Sequence, residues 1–424
     1  MSIHGPTLHA FVLKTAAHQA AAATKLKVIT DARAKALAQG PQAPSAAPSI
    51  TIPLTTISLE NNFDALIKIK FAGAPDATTA CLWNDVGVEG NPSPCLIVDS
   101  GNSTLIVPDF DCIKKLRGFD QNYKVLVDES NTTEPFGCPA VILRGPIQIP
   151  APGGYHEIKD CVFYACTDSK PGDHDNKRTA NFGIGWISPW QYTGNQKVPT
   201  IQSPLTYNAT YPYAEIKFAG AATALTAGAD DPKVAEGSSL TVYRRDAVLP
   251  HFRMFEITRG PSWMSLIPRS LAIGDIQTAW PGPTPPPLIA MIDTGGGPVF
   301  LSDPCGLIYT TRWPNIVPLP DWTSDPSSLS FLCQSVNDDL TIAIGDRNDT
   351  YFYRIDTARL PAADQGLTLV MCNTCSYMET TDGVNNQGMN IGGLSALFND
   401  ILIDYESGRI GFKPKVPAAA QPAS

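Results

Sequence analysis

Two short segments carry the residue types that acid–base catalysis by paired carboxyls requires. One reads Pro94-Cys95-Leu96-Ile97-Val98-Asp99-Ser100-Gly101, and the other Leu288-Ile289-Ala290-Met291-Ile292-Asp293-Thr294-Gly295. Each is an apolar run that ends in Asp, a small hydroxyl residue and Gly. The two aspartates are 293 − 99 = 194 residues apart. A strand holds a carboxylate firmly at its end, and Gly lets the chain turn so that backbone N–H groups approach the carboxylate. The small hydroxyl can bond across to a matching loop. Two such loops face to face would bring two carboxyls within hydrogen-bond reach, where both cannot ionise and one proton is shared. The carboxylate then takes a proton from water while its protonated partner donates to a carbonyl oxygen. Asp99 and Asp293 are therefore the candidate catalytic pair, and this chemistry calls for no metal and no organic cofactor.

A lone Asp-Thr-Gly is a weak signal. Here each motif is followed later by an apolar-Gly segment, Asn181-Phe182-Gly183-Ile184-Gly185-Trp186 after the first and Met389-Asn390-Ile391-Gly392-Gly393 after the second. A repeated order of this kind points to two related halves. Rival chemistries find less support. The chain has no Gly-x-Ser-x-Gly elbow and no His-Glu-x-x-His pair, which argues against serine hydrolases and zinc peptidases of those types. Cys372-Asn373-Thr374-Cys375 has zinc or redox spacing, but no second Cys or His pair accompanies it, so a structural bridge is the reading favoured there.

The elements that must hold the pair are short strands. Pro (38) and Gly (33) are abundant, and apolar runs such as Ala65–Phe71, Cys95–Val98, Ala140–Arg144 and Leu288–Ile292 alternate with Gly/Pro/Asn/Asp clusters. That texture predicts an all-β chain with few helices. Residues 7–38 lack internal Gly and Pro and read as helix, residues 40–48 as a Pro-rich linker, and residues 413–424 as a Pro/Ala-rich tail.

Charge separates the start of the chain from the rest. Residues 1–48 hold Lys14, Lys25, Lys27, Arg33 and Lys35 against Asp31, a balance of 5 − 1 = +4. The whole chain of 424 residues carries −9, so the remainder carries −13. The two parts should attract, more strongly at low salt. No Lys/Arg run suits nucleic acid, and no apolar run of about 18 residues suits a membrane span. The expected partner is a polypeptide substrate, with no nucleic acid and no membrane, bound by a monomer. Ten cysteines favour up to five disulfides in an oxidising compartment, secreted or periplasmic. Lys14 interrupts the apolar stretch Ala10–Leu13, so the N-terminus is not a clear signal peptide and reduced thiols in a cytosolic protein stay open.

From Ile50 to Pro414 the chain resembles the pepsin-like aspartic peptidases. The resemblance rests on Asp99-Ser100-Gly101-Asn102-Ser103-Thr104-Leu105-Ile106-Val107-Pro108, on Ala290-Met291-Ile292-Asp293-Thr294-Gly295, on the segment Trp263–Gly274 ahead of the second aspartate, and on Ile391–Phe412. It implies an all-β, bilobal fold with a cleft between two related lobes, here 49–236 and 237–415. A basic leader, 1–48, would precede them as a removable prosegment of a zymogen, and a disordered tail, 416–424, would follow. It implies an aspartic endopeptidase acting on extended peptides, with Ser100, Gly101, Asn102, Thr294, Gly295 and Gly296 supporting the pair. It also suggests that Cys333 bridges Cys372 or Cys375, that Cys305 takes the other, and that Cys81 bridges Cys95.

Three departures set limits on this. Asn102 and Gly296 stand where the family places hydroxyl donors to the outer carboxylate oxygens. Loss of such donors raises the pair's pKa values and predicts a less acidic optimum than in gastric relatives, or weaker activity. The segment in the place of the covering flap, Pro135–Ile149, is short and lacks the family's Tyr; Phe136 is the candidate stand-in, and a Cys112–Cys138 bridge would stiffen it. The alternative function is a weak or inactive member of the same fold that binds a protein or glycan.

Overall fold

The first aspartate sits at the end of an apolar strand whose neighbours are now visible. In a computed structural model, residues 47–415 are described apart from 60–61, 77–80, 82–84, 129–137, 168–179, 188–189, 194–195, 209, 219–232, 248, 260–263, 267, 274–275, 280–288, 296–298, 303–315, 319–329, 336–339, 346–349, 356–366, 373–387 and 392. The expected leader helix, most of the linker and the tail beyond 415 lie outside the described residues. So do Phe136, Gly296, Cys305 and Cys375 and the side chains of Cys333 and Cys372.

The chain is mostly β-sheet with few helices. In chain order the first strands are β1 (Ser49–Leu59), β2 (Asn62–Lys68), β3 (Lys70–Phe71), β4 (Cys95–Asp99), β5 (Leu105–Val107), β6 (Lys124–Val127), β7 (Ala140–Ala151), β8 (Gly154–Cys166) and β9 (Asn181–Gly183). Two short helices, Phe110–Lys114 and Phe119–Asn122, follow β5. Asp109 caps the first of them by accepting from Cys112 N–H at 3.0 Å.

β1 to β9 belong to a 14-stranded sheet, and most of the strands from Thr258 to Ile391 form sheets of eight and four. Within the first half, β4 runs parallel to β9, β9 antiparallel to β5, and β5 parallel to β8. The second half repeats this order. Ile289–Ile292 runs parallel to Gly388–Ile391, which pairs antiparallel with Val299–Ser302, which runs parallel to Leu367–Cys372. Met264–Leu266, inside the segment singled out ahead of the second aspartate, pairs antiparallel with Ile289–Ile292. The internal echo in the sequence is therefore a repeated strand arrangement.

The closing segment of the chain is a strand Gly388–Ile391, a 3-10 turn Gly393–Leu397 and a hairpin of Asn399–Asp404 with Arg409–Pro414. The hairpin joins the 14-stranded sheet through Tyr213–Lys217, which pairs Lys233–Tyr243, which pairs β1. The division expected at 236/237 falls inside Lys233–Tyr243.

Apolar side chains fill both halves. Phe71, Tyr123 and Phe163 pack with ring centroids 5.9–6.3 Å apart, and Tyr351, Tyr353, Phe255 and Phe412 form a second cluster. Fully burying one Phe stabilises the fold by roughly 1.5–3 kcal/mol. Tyr123 also has its hydroxyl satisfied: it donates to the Pro146 carbonyl at 2.9 Å and accepts from Ala72 N–H at 2.8 Å.

Three expectations need revision. The segment read as a short flap is, from Ala140 onward, a 12-residue strand paired to β6 on one side and β8 on the other. Its alternating apolar residues are core residues, while Phe136 and the rest of 129–137 lie outside the described residues. The Cys112–Cys138 bridge does not form; Cys112 lies in the helix after β5, and the Cys138 thiol turns toward the Pro139 carbonyl at 3.7 Å. Cys161 is a buried thiol within β8, where it serves as a small apolar core residue. With Cys112 and Cys161 unbridged, 10 − 2 = 8 cysteines remain, and the five expected disulfides cannot all form. Cys81–Cys95 is formed, with Cα atoms 5.6 Å apart.

Candidate active site

Asp99 is the last residue of β4, and Asp293 follows directly on the strand Ile289–Ile292. Both strands are apolar and lie against a parallel neighbour, as strands covered on both faces do. Backbone bonds hold each aspartate to that neighbour: Ile184 N–H donates to the Asp99 carbonyl at 2.8 Å, and Asp293 N–H donates to the Ile391 carbonyl at 3.0 Å.

The turns that follow bond to each other reciprocally. Ser100 N–H donates to Thr294 Oγ1 at 3.0 Å, and Thr294 N–H donates to Ser100 Oγ at 3.0 Å. Each hydroxyl then donates onward to the opposite strand, Ser100 to the Ile292 carbonyl at 2.7 Å and Thr294 to the Val98 carbonyl at 2.9 Å. Four buried bonds thus clamp two loops that are 194 residues apart. They account for the hydroxyl in each motif.

The glycines account for the closeness. A Cβ added at Gly101 would come 2.6 Å from the Asp293 carboxyl carbon, and one added at Gly295 would come 2.6 Å from the Asp99 carboxyl carbon. Each carboxyl therefore rests over the backbone of the other motif, where any side chain would collide with it.

Both carboxyls are buried, Asp99 at 8% and Asp293 at 6% exposure. Asp99 Oδ1 accepts from Gly101 N–H at 2.7 Å and Asn102 N–H at 3.1 Å, while Asp293 Oδ1 accepts from Gly295 N–H at 3.1 Å. Burial pushes the Asp99 carboxyl well above the usual carboxylate range. The Asp293 charge and a hydrogen bond between the two carboxyls push the same way, against the donors Asn181 and Gly101. This is the environment in which two acids hold one proton between them.

Asn102 does not donate its side chain to the pair. Its Oδ1 accepts from Thr104 N–H and Oγ1, both at 3.0 Å, and so shapes the loop. The donor to the other Asp99 oxygen comes from Asn181, whose Nδ2 donates to Oδ2 at 2.6 Å. Asn181 reaches it because β9 lies parallel to β4, with Asn181 across from Ile97 and Gly183 across from Asp99. The sequence marks Asn181 only as the start of an apolar-Gly segment.

A second residue missed by sequence is Asp64 in β2, 1% exposed and close enough to Asp293 to feel its charge. Its carboxyl is pushed up to about 8, by burial first and by Asp293 second. The one available signal was an acidic residue inside the otherwise apolar run Phe63-Asp64-Ala65-Leu66-Ile67.

Among the described residues no cluster of three His, Cys, Asp or Glu side chains is arranged to hold a metal ion, and no helix is long and apolar enough to cross a membrane. No protein-family model matches the chain, and no curated protein matches it.

Proposed function

We propose that the chain is an aspartic endopeptidase of the pepsin-like, two-lobed kind, with Asp99 and Asp293 as its catalytic pair. The observation that carries this reading is the reciprocal clamp between Ser100 and Thr294, which holds two carboxyls together over the Gly101 and Gly295 backbones. The repeated strand order around each aspartate supports two related lobes, and it agrees with the family resemblance of the motifs.

In the reaction, a water held between the carboxyls attacks the carbon of a scissile amide. Its proton goes to the ionised carboxyl, and the protonated carboxyl donates to the carbonyl oxygen. The tetrahedral diol then collapses: the amide nitrogen takes a proton from the pair, the C–N bond breaks to release an amine, and a diol hydroxyl returns its proton to the pair as the new carboxyl group forms. Protons balance, and the pair returns with one proton. The Asp99 donors, Gly101, Asn102 and Asn181, favour a charge on that carboxyl, while burial opposes it. Both ionisations belong to the pair and to neither residue alone.

The test is cleavage of denatured globin or a peptide library across about pH 3–7, with and without a transition-state-mimic inhibitor. Inhibitor-sensitive cleavage supports the peptidase. Absence of cleavage throughout that range would favour the rival, a catalytically inactive relative that binds a protein or glycan.

A further inference from the structure

The segment that runs through and beyond β9 lies across the loop carrying the first aspartate. Gly183 N–H donates to the Thr104 carbonyl at 2.9 Å, Ile184 N–H to the Asp99 carbonyl at 2.8 Å, and Gly185 N–H to the Asn102 carbonyl at 2.8 Å. Three successive amides thus bond to one turn. A Cβ on Gly183 would strike the Thr104 backbone, and one on Gly185 would strike the Ser100 carbonyl, so backbone rests directly on backbone. Asn181, at the start of the same segment, supplies the amide that donates to Asp99 Oδ2. Residues 181–185 therefore form a strap that touches Asp99 at both its backbone and its carboxyl.

The strap is held in turn from the end of the chain. Tyr405 follows the strand Asn399–Asp404 at the tip of the closing hairpin, and its hydroxyl donates to the Ile184 carbonyl at 2.5 Å, across 221 positions. Ile184 thus has its N–H on Asp99 and its carbonyl on Tyr405. Both residues are buried. Ser203, buried at the start of the 3-10 turn Pro204–Tyr207, bonds to the same Tyr405 hydroxyl. Trp186 presses on the hairpin as well: a Cβ added at Gly408 would come 2.7 Å from its ring. The hairpin tip is a firm anchor. Asp404 Oδ1 accepts from Glu406 N–H at 2.9 Å and Ser407 N–H at 3.1 Å. Tyr405 N–H donates to the Pro212 carbonyl at 3.1 Å, and Ile257 N–H donates to the Gly408 carbonyl at 3.1 Å.

We propose that Tyr405 is a positioning residue for the first carboxyl of the pair: through the Ile184 carbonyl it fixes the strap from which Asn181 reaches Asp99. The kinetic consequences rest on the peptidase reading; the placement of the strap does not. Without the hydroxyl, a buried carbonyl loses this donor, and the strap must shift to satisfy it. Asn181 then holds Asp99 Oδ2 less well, and the charged form of that carboxyl loses support.

The experiment titrates the carbon-13 carboxyl resonances of Asp99 and Asp293 in the full chain, identified by their loss in Asp99→Asn and Asp293→Asn. It compares the unaltered chain with Tyr405→Phe, Asn181→Ala and the double variant. Tyr405→Phe should raise the lower apparent pKa of the pair, by less than Asn181→Ala does. The double variant should shift no further than Asn181→Ala alone, because Tyr405 acts through that amide. Tyr351→Phe is the control. It removes another buried tyrosine hydroxyl bonded to the same hairpin, the donor to Asn399 Oδ1 at 2.7 Å. It should lower the melting temperature and leave the titration in place. A titration unmoved by Tyr405→Phe would overturn the proposal. So would one moved as far by Tyr351→Phe, or a double-variant shift beyond that of Asn181→Ala. If Tyr405→Phe does not fold, Gly408→Ala displaces the strap through Trp186 and is read in the same way. These titrations need no turnover, so they decide the matter even if the unaltered chain cleaves nothing, a result that would sink the peptidase reading alone. Where it does cleave, Tyr405→Phe should lower kcat by up to about 10²-fold, as a misplaced reacting group does. KM should stay within about twofold, and the acid limb should move to higher pH. A kcat within about twofold of the unaltered chain would contradict the positioning role.

Discussion

Removing the Asn181 amide should move the acid limb of activity to higher pH. Asn181 Nδ2 donates to Asp99 Oδ2 at 2.6 Å, and the bond favours the charged carboxyl. Hydrogen bonds to charged groups contribute about 1.5–3 kcal/mol. One pKa unit corresponds to about 1.36 kcal/mol, so the first ionisation of the pair should rise by about 1–2 units in Asn181→Ala. The lower end is expected, because Gly101 and Asn102 N–H groups stay on Oδ1 and water can enter the space left by the amide. Asn181→Asp should shift it further, since it replaces a donor with an acid beside the pair. The assay is kcat/KM against pH on an extended peptide with apolar residues flanking the cleaved bond, with circular dichroism to show that each variant is folded. An acid limb that stays in place in Asn181→Ala, or moves to lower pH, would refute the role given to this residue.

Other outcomes follow from the same geometry. Ser100→Ala removes the donor to the Ile292 carbonyl and the acceptor for Thr294 N–H, leaving two buried groups unpaired. Urea unfolding should show a loss of about 1–3 kcal/mol for each such group, and a change under about 0.5 kcal/mol would count against the clamp. Gly101→Ala places a methyl group 2.6 Å from the Asp293 carboxyl carbon, so kcat should collapse; a kcat within twofold of the unaltered chain would contradict that packing. Breaking Cys81–Cys95, which closes a loop with a sequence separation of 14, should cost about 3 kcal/mol of stability. A melting temperature insensitive to a Cys81→Ser, Cys95→Ser double substitution would show that the bridge contributes little.

Asp99 and Asp293 could be read from the sequence because a strand end, a hydroxyl and a glycine are neighbours in the chain. Their local order implies the turn, and the two copies imply the pairing that the Ser100–Thr294 bonds provide. Asn181 could not be read this way. Its contact with Asp99 depends on the parallel register of β4 and β9, whose paired residues lie more than 80 positions apart. Asp64 was hidden for a similar reason: an Asp in a strand ordinarily marks a solvated face, and only the pairing of β2 with both β1 and β4 encloses it. The cysteine count misled because an even number invites pairing, whereas Cys161 is a buried core residue of β8. Pro135–Ile149 reads as a short flap from its position and its lack of a Tyr, whereas from Ala140 it runs into a 12-residue strand with a neighbour on each edge.

The central claim is that two carboxyls act as one proton-sharing pair, and the most direct measurement is peptide cleavage by the unaltered chain beside Asp99→Asn and Asp293→Asn. The account predicts turnover in the unaltered chain at acid to mildly acid pH, and its loss in each single variant, since neither carboxyl can take and give a proton alone. Cleavage that survives both substitutions would contradict it.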